Sequence, residues 1–440
     1  MNPRSNKHRY SLHQLWVYGG TPLRYHPFPV LAAKAGILQL VGQWEQAQSI
    51  MSGNFEASKN WADKTFTAEA RRQLASLLIH QGRYEQAAEL AEGAYSYFKE
   101  LYDIAGMLNS LEVLGQVCEF TGDYSAALEY YQKQFELAGK EDTYVAQALS
   151  NLGNLHKAAG RFELAGDFYQ KLLKIAESTG QKKYLRAAYN NMGNILRSQG
   201  KLEEALEYMQ KAREISAAMG DRWSGMAAMN NIGTIHSARL EYDKALECYY
   251  SLLESARILG DPRTAGIAIG NLGNTFLEKG DHAKAREFFY QRLEMARSLG
   301  DRKGQMFTLG NMGQSYLQTD DLAKARECFA KQLDLACQMG DVGNEAEARS
   351  KLGQVLLALG SPEESERECL LAVELGEKSG DQWYFCEYLI HLAEAQMVLK
   401  KYLQAGEIIK RAKVLSSKLE RKNLSQHCLE LEEKIKSVSL

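Results

Sequence analysis

Asn151, Asn191, Asn231, Asn271 and Asn311 fall at a spacing of 40, with Asn154, Asn194 and Asn274 three residues after their counterparts and Asn190 and Asn230 beside them. A carboxamide carries both a donor and an acceptor, so such a row could clasp the amides and carbonyls of an extended peptide without reading its side chains. The same groups could instead bond to neighbouring helices and knit repeats together. Asparagine is a middling helix former, and its recurrence needs one cause or the other. Lys157 and Arg197 extend the row by one helical turn, and Lys351 takes the next asparagine position. These cations could pair with acidic side chains or a terminal carboxylate of a ligand, or be solvated surface charges.

Other chemistries find little support. His156 and His236 share a phase but have no second ligand four residues on, so a metal site is not expected there. The doublets Tyr130-Tyr131, Phe168-Tyr169, Tyr249-Tyr250 and Phe288-Phe289 fall at the core phase of helices and read as packing rather than as a platform for bases. The strings Gly-Asn-Leu-Gly-Asn are glycine-rich but lie within helical patterns, where backbone amides are already used, so they cannot cradle phosphate. No P-loop, dinucleotide fingerprint, zinc-protease helix or nucleophile elbow is found, and no acid, base and nucleophile can be named together. The chain is therefore expected not to be an enzyme and to need no cofactor.

The elements that must position the asparagines repeat. Gly153, Gly193, Gly233, Gly273, Gly313 and Gly353 keep the same spacing of 40. Each follows an apolar residue, and twelve residues later come Ala165, Ala205, Ala245, Ala285, Ala325 and Ser365. Four residues further on stand Tyr169, Met209, Tyr249, Phe289 and Phe329. Leu149, Leu152 and His156 follow the rhythm of an amphipathic helix that Gly160 ends, and Phe162 to Ala176 give a second helix that Gly180 ends. Each unit is thus a pair of antiparallel helices. A mid-helix glycine costs roughly 1 kcal/mol against alanine, so close approach to the small residue of the second helix must offset it, with the aromatic filling the gap to the next repeat. Gly-Asp at 220, 260, 300, 340 and 380 marks the turn between units, glycine closing one helix and aspartate capping the next.

Composition agrees. Apolar residues make up 45% and charged residues 25%, while the net charge of −2 comes without basic blocks and gives no support for a nucleic-acid partner. Seven scattered cysteines, without a C-x-x-C pair, read as reduced thiols. No run approaches the length of a membrane helix and the N-terminus lacks the features of a signal peptide, so a cytoplasmic protein is expected.

The series Asn151-Leu152-Gly153, Ala165 and Tyr169 is similar to the tetratricopeptide motif, and the similarity extends over nearly the whole chain. The period of 40 resembles, in strings such as Gly270-Asn271-Leu272-Gly273 and Gly300-Asp301-Arg302, the Pins/LGN spindle-orientation adaptors and the sensor regions of bacterial signalling ATPases and nucleotide cyclases. The adaptors also carry GoLoco motifs, and none is recognisable here. The resemblance implies that the asparagine phases bind peptide.

The expectation is thus an all-α, right-handed superhelical solenoid of about ten helix-turn-helix repeats over residues 31–417. An irregular arm or junction is expected at 1–30 and a capping helix at 418–440. Its expected partner is a protein or peptide held in a concave groove, without nucleic acid or membrane, and self-association is compatible with that. The alternative is a regulatory sensor module whose catalytic domain lies elsewhere.

Overall fold

The computed structural model describes residues 31, 34–35, 44–59, 64–379, 382–419 and 421–438. The expected arm at 1–30 and the Gly380-Asp381 turn lie outside them. Twenty helices follow one another among the described residues, without a strand. The chain divides into two compact units, residues 1–188 and 189–440.

The first unit contains α1 (Trp44–Ser58), α2 (Thr65–His80), α3 (Tyr84–Glu100), α4 (Ile104–Phe120), α5 (Tyr124–Ala138), α6 (Asp142–Ala158) and α7 (Phe162–Thr179). The boundary falls inside α8 (Lys182–Ser198). The second unit continues with α9 (Leu202–Ala218), α10 (Arg222–Ala238), α11 (Tyr242–Leu259), α12 (Pro262–Glu278), α13 (His282–Ser298) and α14 (Arg302–Gln318). It ends with α15 (Leu322–Met339), α16 (Val342–Ala358), α17 (Pro362–Ser379), α18 (Gln382–Val398), α19 (Tyr402–Lys418) and α20 (Lys422–Val438). Even-numbered helices from α2 to α18 are the first arms of hairpins and the following odd-numbered ones the second arms. The last helix, α20, packs on α18 and α19, burying Cys428 and Leu431 against them.

Turn chemistry sets the helix ends as the sequence implies. Gly220, Gly260, Gly300 and Gly340 have φ between 64 and 68°, the left-handed conformation that lets the chain leave a helix. Asp221, Asp301 and Asp341 then accept from the amides of Ser224, Gly304 and Asn344, and Asp261 accepts from those of Arg263 and Thr264. Pro262 opens α12 where its missing N–H costs nothing.

The mid-helix glycine works differently from the sequence expectation. A Cβ on Gly153 would lie 2.5 Å from Cε1 of Tyr169, and one on Gly273 would lie 2.5 Å from Cε1 of Phe289. Gly233 with Tyr249 and Gly313 with Phe329 repeat the arrangement at 2.6 and 2.7 Å. The ring therefore occupies the space over the glycine of its own hairpin rather than filling a gap to the next. Tyr169, Tyr249, Phe289 and Phe329 are buried as a result, whereas Tyr250, placed by the sequence at the core phase with Tyr249, is 47% exposed. Burying each ring contributes about 1.5–3 kcal/mol, more than the helix propensity lost at the glycine.

Candidate functional site

Each first arm turns one face to its neighbours in the core. On α12 that face is Ala265, Ala268, Ile269, Leu272 and Phe276, all buried. A second face of the same helix carries Arg263, Ile267, Asn271 and Asn274, at the steps of three and four residues that share a side of a helix. In α14 the corresponding positions are Lys303, Phe307, Asn311 and Gln314, and in α10 they are Trp223, Ala227, Asn231 and Thr234.

Most of the expected asparagines are half-buried and hydrogen-bonded to a neighbouring hairpin. Nδ2 of Asn231 donates to Oδ1 of Asn190 at 3.2 Å, and Nδ2 of Asn271 donates to Oδ1 of Asn230 at 2.8 Å. Residue 270 is glycine and offers no acceptor, so Asn311 donates instead to Oδ1 of Asn274, at 2.7 Å. Asn274 is available for this because its hairpin carries Phe289. Where the second arm carries a tyrosine, the hydroxyl takes the same position: Tyr169 donates to Oδ1 of Asn154 at 2.7 Å. Burial, with the charge of Glu119 behind it, pushes the Tyr169 phenol up and keeps it a donor.

Two members of the expected stripe depart from it. Asn151 is buried, and its Nδ2 donates to Oε1 of Gln134 at 2.9 Å, while Nε2 of Gln134 donates to the Leu108 carbonyl. Lys351 is half-buried with Nζ 3.4 Å from Oε2 of Glu387, a carboxylate it shares with Arg421. Of the remaining members, Asn191, Asn194 and Lys157 are half-buried, and Arg197 is exposed. Burial lowers the Lys157 ammonium, opposed by the charge of Glu119. Asn271 and Asn274 line an open cleft of about 500 Å³ with Thr234, Tyr249 and Glu278. A larger cleft, about 670 Å³, lies away from the amide row, between α9, α10 and α11.

The face also carries residues that the sequence reading missed. Trp223, Ile267 and Phe307 are 40, 48 and 46% exposed, one on each of three successive first arms. Ile267 and Phe307 share a phase, with Trp223 one turn earlier on its helix. Their signal is an apolar residue at a phase outside the core rhythm, visible only once that rhythm is fixed.

A family model described as tetratricopeptide repeat matches residues 66–140, 144–218 and 225–298, and a second of the same description matches 311–380. The chain belongs to the tetratricopeptide repeat family. Comparison with curated proteins gives no match. Among solved structures, the fold is similar to a signal transduction ATPase with numerous domains and a tetratricopeptide repeat sensor, from Pyrococcus horikoshii. The TM-score is 0.59 at 17% identity over 84% of this chain and 55% of that one, so the chain spans little more than half of that protein. The apo quorum sensor NprR from B. thuringiensis matches with TM-score 0.58 and 17% identity, over 79% of this chain and 97% of that one. A Rap protein complexed with Competence and Sporulation Factor matches with TM-score 0.52 and 16% identity, over 84% and 98%. At these identities the likeness is one of fold, that of tetratricopeptide helical solenoids. No helix among the described residues is long and apolar enough to cross a membrane.

Proposed function

We propose that this tetratricopeptide repeat chain is a non-catalytic, cytoplasmic protein-interaction scaffold that holds a peptide segment of a partner against the outward face of its first arms, in the concave groove such hairpins form. The observation that carries this reading is the exposure of Trp223, Ile267 and Phe307 on that face, beside half-open carboxamides. Apolar side chains grouped on one face of a well-packed protein mark interaction surfaces. Aromatic anchors with polar groups around them are the usual composition of such a contact. Asn271 and Asn311, each donating once between hairpins, keep a second N–H and further lone pairs for a guest backbone. A net charge of −2 argues against nucleic acid as the guest.

The second reading is a regulatory sensor module, the role named for the tetratricopeptide part of the Pyrococcus horikoshii ATPase. A catalytic domain encoded in the same gene would favour it.

The test is affinity purification with mass spectrometry, using the full chain, an Ile267→Lys/Phe307→Glu variant, and Leu403→Glu as a control that alters a residue 89% exposed on α19. Partners retained by the full chain and the control but lost from the double variant are expected. Equal retention by all three would remove the face from consideration.

A further inference from the structure

Arg292 on α13 is 9% exposed, at the phase where α7 and α11 carry Leu172 and Leu252 and where α9 and α17 carry Ala212 and Ala372. Nη2 donates to Oδ2 of Asp301 at 2.6 Å, while Nη1 is buried without a partner. A buried guanidinium with an unused donor is costly, and it persists here beneath a set of glycines. A Cβ on Gly266 would lie 3.2 Å from Cζ and Nη1, one on Gly270 would lie 4.0 Å from Cγ and Cδ, and one on Gly304 would overlap Nη2.

Gly270 is half-exposed on the outward face, in the place that Asn190 and Asn230 take in earlier hairpins. Its missing side chain leaves the Cγ and Cδ of Arg292 uncovered and also diverts Asn311 to Asn274. The next hairpin repeats the device in neutral form: Gly310 lies over Gln332, whose Oε1 is buried without a partner. Charge completes the picture. Arg263, exposed at the rim on the same face, adds a second positive charge to a place where Arg292 alone is paired with Asp301.

We infer that this step of the face is an acid-binding subsite, where Arg292 beneath Gly270 and Arg263 at the rim take the carboxylate of an aspartate or glutamate in the bound segment. Swinging the side chain out about its stem, which Gly270 leaves uncovered, gives Nη1 its acceptor, a charge-assisted bond of the kind arginine makes best. The exposed Ile267 stands one turn away on the same helix, so an acidic residue next to an apolar one fits the step. The inference rests on the groove reading above and adds the chemistry of the guest.

The test uses random peptides displayed on phage, selected in parallel on the full chain, on Arg292→Leu and on Gly270→Asn. Leucine already fills the same phase in α7 and α11, and asparagine fills that of residue 270 in α8 and α10, so both variants are expected to fold. The full chain should enrich peptides with Asp or Glu at a fixed place, and changing that residue to its amide should weaken binding roughly tenfold. Both variants should still enrich peptides but without the acid, and the amide change should cost them nothing. Enrichment without an acid preference, or a preference that survives in both variants, overturns the subsite alone. No enrichment by the full chain overturns the groove reading and the subsite with it.

Discussion

Nδ2 of Asn271 donates to Oδ1 of Asn230 at 2.8 Å, joining first arms of successive hairpins through side chains 41 residues apart. The bond makes part of the amide row a structural seam. Asn271→Ala should therefore lower the stability of the full chain by about 1 kcal/mol, the usual worth of a neutral hydrogen bond. With Asn230→Ala it should show a coupling of about 0.5–1.5 kcal/mol in urea unfolding. Strict additivity of the two losses would mean that the bond contributes nothing.

The aromatic ring over the mid-helix glycine gives a contrast between two glycines. Gly273→Ala gains helix propensity but drives a methyl into the buried Phe289 ring, with a net loss of about 1–2 kcal/mol expected. Gly166→Ala, also within a helix, meets nothing within 4 Å and should gain up to about 1 kcal/mol. Thermal unfolding of both variants checks the sign, and stabilisation by both would contradict the packing described.

Much of this fold is legible in the sequence because Gly153 and its successors repeat at one phase, which fixes two helices per unit and their turns. The site is legible only in part. A helical phase tells that Asn231 and Asn271 share a face, but not that their amides turn sideways to Asn190 and Asn230, because that depends on the distance between hairpins. Arg292 is written as an ordinary charge among others in Ala-Arg-Glu-Phe-Phe-Tyr-Gln-Arg. Its burial follows from the glycines of α12 and α14, residues distant in sequence that no local pattern connects to it. The ring of Phe289 was legible as core, but its position over Gly273 required the closeness of the two arms.

Leu240 holds a left-handed backbone, φ 61°, at a turn position taken by Gly200, Gly280 and Gly360 in other hairpins. Its side chain is 70% exposed, so little packing is lost on removal. Leu240→Gly should stabilise by about 0.5 kcal/mol, the relief of the left-handed conformation being partly offset by glycine's freedom in the unfolded chain. A lower melting temperature in that variant would show that Leu240 packs more than its exposure implies.

His391 continues the seam near the C-terminal end, with Nδ1 2.8 Å from the Ser350 hydroxyl. Burial, followed by the charges of Lys351 and His427, holds its imidazole down to about 3. The folded value lies below the unfolded one, about 6.5. The stability this gives is therefore complete above about pH 6.5 and is lost as pH falls toward the folded value. Between pH 7 and pH 5 the full chain should lose up to about 2 kcal/mol more than His391→Gln. Identical losses, measured by urea unfolding at the two pH values, would place the proton elsewhere.

Protein binding on the outward face of the first arms is tested most directly by site-specific photo-cross-linking of the full chain in a cell lysate. A benzophenone amino acid replaces Phe307 in one sample and Leu403 in another. Capture on this face predicts discrete adducts from position 307, removed by Ile267→Lys, and none of the same mass from position 403. Adducts of equal mass and yield from both positions, or from 403 alone, would contradict it.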